Sequence, residues 1–100
     1  INMTTEVINA IDKFITISNK YHIDGIASQI SVLNELKTKL LKKSAFSERE
    51  KISLYQALFP SRGGLSDVNY WNDNFEKRKE VNAQLFEQKT IIANYLLGTR

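Results

Sequence analysis

His22 is the single histidine of this sequence and the first residue to consider for catalysis. A serine or threonine nucleophile needs a base that a third group orients, and Asp24 is the one acidic neighbour that spacing suggests for this histidine. His22 and Asp24 fall in a segment that breaks the helical pattern around it. The spacing therefore favours a turn histidine, and we expect a protein that is not an enzyme.

Asp73, Glu76 and Glu80 recur at intervals of three and four residues, which would place three carboxylates on one helical face. Magnesium prefers such oxygen ligands. Lysine and arginine fill positions 77–79 between them, and this mixed charge is typical of a solvated helix with side-chain ion pairs. The chain also contains no cysteine. We therefore expect neither a metal site nor a cofactor.

The segment 61–64, Ser-Arg-Gly-Gly, combines backbone freedom with a basic side chain and could bind an anion. It lacks the spacing and the lysine of a phosphate-binding P-loop, and no strand is predicted before it. Two glycines after Pro60 more simply supply the positive φ angles that reverse the chain. We favour chain reversal as the role of this loop.

Polar residues interrupt an apolar line in the last predicted helix. Steps of seven from Phe75 reach Asn82, Lys89 and Leu96. In a coiled-coil seam, Asn or Lys at such positions fixes the register and the oligomeric state, so Asn82 and Lys89 are predicted to bind a partner or a second copy. The alternative is a slightly rotated helix in which Lys89 extends along the boundary of the core. That rotated helix would direct Val81, Leu85, Ile92 and Leu96 inward.

Arg62, Tyr70 and Trp71 flank the glycine loop and form a second predicted partner surface. Aromatic and arginine side chains at a loop edge are typical anchors of protein interfaces. The alternative, which we favour for Trp71, is packing of its ring in the core. An acidic partner would suit the basic residues of the chain.

Two basic clusters suggest nucleic-acid binding as an alternative function, and the net charge is +3. The clusters consist of Lys37, Lys39, Lys42 and Lys43 on the second predicted helix and of Lys77, Arg78 and Lys79 on the last. They could follow phosphates if the fold brought them to one face. Acidic residues lie near each cluster, and aromatic residues do not alternate with the basic ones as a stacking surface requires.

Apolar residues at helical spacing predict the elements that would hold these residues. We expect long helices over 5–21, 25–43 and 74–97 and a shorter helix over 47–59. Helices joined by short turns pack antiparallel, so the fold is predicted to be all-α, an antiparallel bundle with a Pro/Gly loop before the last helix. A short helical turn is predicted to contain Val68, Tyr70 and Trp71.

Local signals mark where the predicted helices begin and end. Ser47 and Glu50 form a capping box, and Pro60 disfavours helical backbone in the residue before it. Asp73 is predicted to begin the last helix together with Glu76, and Gly98 is predicted to end it. The apolar faces predicted to form the core comprise Val7, Ala10, Ile11, Phe14, Ile17, Tyr21, Ile26, Ile30, Leu33, Leu36, Leu40, Ile52, Tyr55, Leu58 and Phe59.

One hundred residues with 42% hydrophobic and 25% charged side chains predict a single ordered domain over 1–100. Ile1 and Asn2 precede Met3, so either they are cloning residues before a natural start or the chain is a fragment of a longer protein. No apolar run is long enough to cross a membrane, and we expect a cytoplasmic protein. The function expected is a helical protein-interaction module, an adaptor or a subunit of a larger assembly, with a homodimer as one form.

Overall fold

In the part of the chain that the structure describes, four α-helices and one 3₁₀ helix follow one another. The computed structural model describes residues 3–43 and 45–98. Ile1 and Asn2, the two residues assigned either to cloning or to a longer chain, lie outside them. The elements are α1 (Met3–Lys20), α2 (Ala27–Leu41), α3 (Glu48–Leu58), a 3₁₀ helix (Gly64–Asp67) and α4 (Phe75–Leu97). The predicted all-α fold with one shorter helix is confirmed.

The core forms where the apolar stripes of the four helices meet. Val7, Ala10, Ile11 and Phe14 of α1 are buried, as their helical spacing predicts. The other buried apolar residues are Ile26, Leu33, Leu36, Leu40, Leu58, Leu65, Val81, Leu85, Ile92 and Leu96. All four helices contribute to this core. Removal of one of its large side chains would leave a cavity and lower the free energy of unfolding by about 2–5 kcal/mol.

α4 packs most extensively on α1 and also contacts α3, whereas α2 packs on α1 and α3. α1 and α4 run antiparallel: the ring of Tyr21, after α1, lies beside Tyr70 and Lys77, whereas Tyr95 near the end of α4 shares a surface cleft with Thr4 and Ile8. Short connections between helices favour this arrangement. The bundle measures 44 × 31 × 22 Å.

Residues with left-handed backbone follow three of the helices. His22 has φ 55° after α1, Lys43 has φ 58° after α2, and Gly98 has φ 75° after α4. At His22 the Ile23 N–H donates to the Ser18 carbonyl at 2.9 Å, which satisfies a carbonyl of the last helical turn. The prediction that Gly98 ends α4 is confirmed, and His22 has a backbone role as a helix terminator.

The predicted capping box begins α3. The Glu50 N–H donates to the Ser47 hydroxyl at 3.1 Å, and the Ser47 N–H donates to a Glu50 carboxylate oxygen at 2.9 Å. These hydrogen bonds hold the pKa of the Glu50 carboxyl below its ordinary value. α3 ends before Pro60 as predicted. The prediction that Ile52 lies in the core is wrong, because its side chain is exposed on the outer side of this short helix.

The connection between α3 and α4 differs from the predicted helical turn. The 3₁₀ helix ends at Asp67, and residues 68–74 contain no helix, so Val68, Tyr70 and Trp71 lie on irregular chain. Asn74, rather than Asp73, caps α4, because its side-chain oxygen accepts from the Lys77 N–H at 3.0 Å. The seven residues after the 3₁₀ helix are therefore free to follow the surface of α4.

Replacement of Glu50 by Gln tests the electrostatic part of the capping box. The native pKa of Glu50 lies below its ordinary value of 4.5, so the unfolded chain binds more protons there. The stabilisation that the ionised Glu50 carboxylate gives is therefore present above pH 4.5, and it is lost as the pH falls through the native pKa. Urea unfolding from about pH 6 to about pH 3 should show a smaller loss of stability in Glu50→Gln than in wild type. Glu48→Gln controls for the loss of one carboxylate from the same turn; a loss of stability in Glu50→Gln as large as that of wild type would contradict this prediction.

Candidate functional site

Asn82 fixes the non-helical segment 68–74 that precedes α4. Its side-chain oxygen accepts from the Tyr70 N–H at 2.8 Å, and its amide nitrogen donates to the Tyr70 carbonyl at 3.0 Å. One asparagine amide therefore satisfies both backbone groups of one residue, as a neighbouring strand would. Sequence reasoning predicted Asn82 as a partner contact, and the structure places its amide on the chain's own backbone.

Trp71 follows this fixed residue and points outward, with 68% of its surface exposed. The preferred prediction, that its ring packs in the core, is wrong. The segment is not helical, and the neighbouring Tyr70 is the residue that is half-buried, with its ring against Tyr21. Trp71 thus keeps the exposed position that its alternative role as a partner contact needs.

Arg78 connects Trp71 to the first turn of α4. Its guanidinium lies 4.3 Å from the centre of the Trp71 ring and 5.3 Å from that of Phe75, and it donates to the Asn72 carbonyl at 3.4 Å. A guanidinium over an aromatic face is attracted by the ring quadrupole. We call Trp71, Phe75 and Arg78 the Trp71 surface. On this surface a basic side chain does lie between two aromatic rings, although aromatic and basic residues were not expected to alternate.

A second cationic and aromatic group lies beside this surface. The Tyr21 and Tyr70 rings are 4.9 Å apart, and the ammonium groups of Lys20 and Lys77 lie 5.3 and 5.7 Å from the Tyr21 ring. The Tyr70 hydroxyl accepts from the Asn72 amide at 3.0 Å. The turn after α1 and the segment before α4 are thereby held against each other.

A cleft of about 380 Å³ opens next to Trp71. The turn 21–26, the two loop glycines and residues 67–71 line it. Gly64 has φ 66°, and a Cβ atom there would lie 2.4 Å from Cδ of Pro60, so only glycine fits. The Gly63 N–H donates to an Asp67 carboxylate oxygen at 2.6 Å. The favoured role of this loop in chain reversal agrees with both glycines, while a bound anion would have to displace Asp67.

The remaining predicted partner residues lie at different places. Arg62 is exposed in the loop, one residue before Gly63. Lys89 lies farther along α4, in a groove of about 290 Å³ with Tyr55, Phe59 and Phe86. Burial lowers the pKa of the Lys89 ammonium, and the nearby Asp67 carboxylate opposes that shift.

The predicted line of seven-residue steps leaves the surface as it follows α4. Phe75 is exposed, Asn82 and Lys89 are half-buried, and Leu96 is buried. Steps of seven drift by about 20° per heptad on a straight helix, which turns this line toward the core. The alternative of a rotated helix is therefore the correct one: Val81, Leu85, Ile92 and Leu96 are buried, and Lys89 lies at the boundary.

The two basic clusters lie toward opposite ends of α1. Lys77 contacts the Tyr21 ring after α1, whereas Lys43 lines a cleft with Thr4 and Thr5 at the beginning of α1. Eighteen helical residues separate these ends by about 27 Å. Within the cluster on α2, Lys37 pairs at 2.6 Å with Asp12, near the middle of α1, and Lys39 pairs with Glu35 at 3.6 Å. The fold does not bring the clusters together on one short surface.

Among residues 3–43 and 45–98, no group of three or more side chains could hold a metal ion. None of the helices in this part of the chain is both long and apolar enough to cross a membrane. Comparisons with protein-family models, with curated proteins and with solved structures found no match to this chain. The residues of the Trp71 surface and its surroundings are therefore what can indicate a function.

Asn82→Ala tests whether Asn82 holds the Trp71 surface in place. The substitution leaves the half-buried backbone groups of Tyr70 without their partners, so we expect a loss of about 1–3 kcal/mol of stability. Trp71 is the single tryptophan, so its fluorescence anisotropy reports on this segment and should fall. Asn9→Ala, on the exposed side of α1, is the control. Unchanged anisotropy in Asn82→Ala would show that other contacts hold the segment.

Proposed function

We propose that the protein is a non-enzymatic interaction module that docks an acidic, partly apolar segment of a partner protein on the Trp71 surface. The observation that carries this proposal is an exposed tryptophan on a segment whose backbone Asn82 fixes. An ordered anchor loses little conformational entropy on binding, and tryptophan and arginine are enriched among the residues that dominate binding energy.

The charges near Trp71 indicate the chemistry of the partner. In the described part of the chain the ion pairs are Lys37 with Asp12 and Lys39 with Glu35. Lys20, Lys77 and Arg78 therefore lie beside aromatic rings with no carboxylate of residues 3–43 and 45–98 at ion-pair distance. A partner that supplies carboxylates would pair with these cations while its apolar side chains cover Trp71 and Phe75.

The cleft beside Trp71 carries carboxylates of its own. Asp24 and Asp67 are among the residues that line it. Acidic side chains of the partner would therefore pair at the rim, where Arg78 lies, and uncharged side chains would enter the cleft. This division predicts a bound segment that alternates acidic and apolar residues.

Selection from a random peptide library followed by affinity measurements tests this proposal. Enriched peptides should combine acidic and apolar residues, and Trp71→Ala should weaken their binding by about 30-fold, as expected when an anchor worth about 2 kcal/mol is lost. Leu41→Ala removes an exposed apolar side chain at the opposite end of α1 and is the matched control. Peptides that bind wild type and Trp71→Ala equally would refute the proposal.

Single-stranded nucleic acid is the second candidate ligand, because Arg78 lies over both Trp71 and Phe75. Bases stack on aromatic rings while cations contact the phosphates. This candidate predicts that a labelled oligonucleotide quenches Trp71 fluorescence and that its affinity falls steeply between about 50 and 200 mM salt. Lys77→Gln should weaken binding, and Lys42→Gln should not. Binding that persists in Trp71→Ala, or no binding at about 50 mM salt, would refute this candidate.

A further inference from the structure

α4 carries a line of exposed apolar residues that begins at Phe75, in the Trp71 surface, and continues beyond that surface to the end of the helix. Phe75, Phe86 and Leu97 are 58%, 66% and 49% exposed. They are spaced by eleven residues, close to three helical turns, so each step rotates the line by only about 20°. The three side chains therefore lie along one face at intervals of about 16 Å.

The residues between these three permit close approach of another helix. Ala83, Thr90 and Ala93 are small and lie near the same face. The Thr90 hydroxyl donates to the Phe86 carbonyl at 2.8 Å, so its hydrogen is already used within the helix. A covering helix would therefore meet apolar surface, short side chains and the exposed Lys79 between Phe75 and Ala83, with no hydroxyl donor left to satisfy at Thr90.

The line is symmetric about Phe86, which lies midway between Phe75 and Leu97. We propose that α4 pairs with α4 of a second copy of this chain, antiparallel about a two-fold axis at Phe86. Phe86 then meets Phe86 of the second copy, and Phe75 meets Leu97. A two-fold interface must be self-complementary in this way, whereas an unrelated partner would not require a symmetric spacing.

Charge favours the antiparallel orientation. In this register Lys79 lies level with Ala93 of the second copy and Lys89 with Ala83. A parallel pair would instead place Lys79 of one copy beside Lys79 of the other, and Lys89 beside Lys89. Like charges at such short distances are unfavourable. Asn82 contributes no interhelical amide, because Tyr70 already occupies its side chain.

The exposed area predicts a weak dimer. A fully exposed aromatic side chain offers about 150–250 Å², so Phe75 and Phe86 at 58% and 66% contribute about 200–300 Å² in each copy. Leu97 and the small residues between them add to this contact. The total over two copies remains below the roughly 1,600 Å² of a standard stable interface. The dimer should therefore dissociate on dilution, with a dissociation constant of about 10–100 µM.

Disulfide trapping tests the register directly, because the chain contains no native cysteine. Lys79→Cys and Ala93→Cys are prepared separately, mixed and oxidised at protein concentrations of about 0.2 mM, above the expected dissociation constant. Antiparallel pairing brings positions 79 and 93 of two copies level, within the about 4.4–6.8 Å between Cα atoms that a disulfide needs. Two copies of position 79 would be about 21 Å apart along the helix. The mixture should form mainly heterodisulfides. Mainly homodisulfides from each variant alone would indicate parallel pairing and overturn the proposal, as would the absence of trapped dimer.

Sedimentation of Phe86→Glu provides a second, independent measurement. Wild type should show a concentration-dependent monomer–dimer equilibrium, and Phe86→Glu should be monomeric at every concentration because two buried carboxylates would face each other. Leu41→Glu, at a comparably exposed position off α4, should dimerise as wild type does. Circular dichroism confirms that each variant is folded. A monomeric wild type at about 1 mM, or a dimer that Phe86→Glu preserves, would overturn the proposal whatever the Trp71 surface binds.

Discussion

The two hydrogen bonds between the Asn82 amide and the backbone of Tyr70 determine what the connection between α3 and α4 can present. Residues 68–74 contain no helix, so their backbone groups need partners from elsewhere. With Tyr70 paired to α4, its ring contacts Tyr21, and Trp71 beside it is exposed. Arg78, one turn before Asn82, then lies over the exposed indole. The position of the exposed tryptophan thus depends on one half-buried amide.

Helix ends position the other wall of the same site. The left-handed backbone at His22 stops α1 and returns the chain toward α2, which places the turn 21–26 opposite the loop glycines. A histidine in this conformation is less favourable than glycine, which adopts it without steric cost. The cleft is therefore bounded by a helix terminator on one side and, on the other, by Gly64, where any side chain would collide with Pro60.

Periodicity and local capping signals predicted most of the fold. The core stripes of α1 and α2, the capping box at Ser47 and the end of α4 at Gly98 follow from contacts within a few residues of one another. The exposure of Trp71 did not follow, because it depends on a hydrogen-bonded pair twelve residues apart that holds a segment predicted to be helical in a non-helical conformation. The seven-residue line was misleading for a geometric reason: its steps fall short of two full turns and so drift toward the core.

α4 is long enough to serve two purposes on different faces. Val81, Leu85 and Ile92 hold it in the bundle, while Phe75, Phe86 and Leu97 remain exposed on another face. Phe75 belongs both to that exposed line and to the Trp71 surface, so the proposed dimer and the proposed peptide complex share one side chain. If both use the Phe75 ring, each lowers the affinity of the other by the same factor, because coupling between two binding equilibria is reciprocal. Self-association would then limit how much of the Trp71 surface is free at high concentration, and an acidic partner would dissociate the pair as it binds.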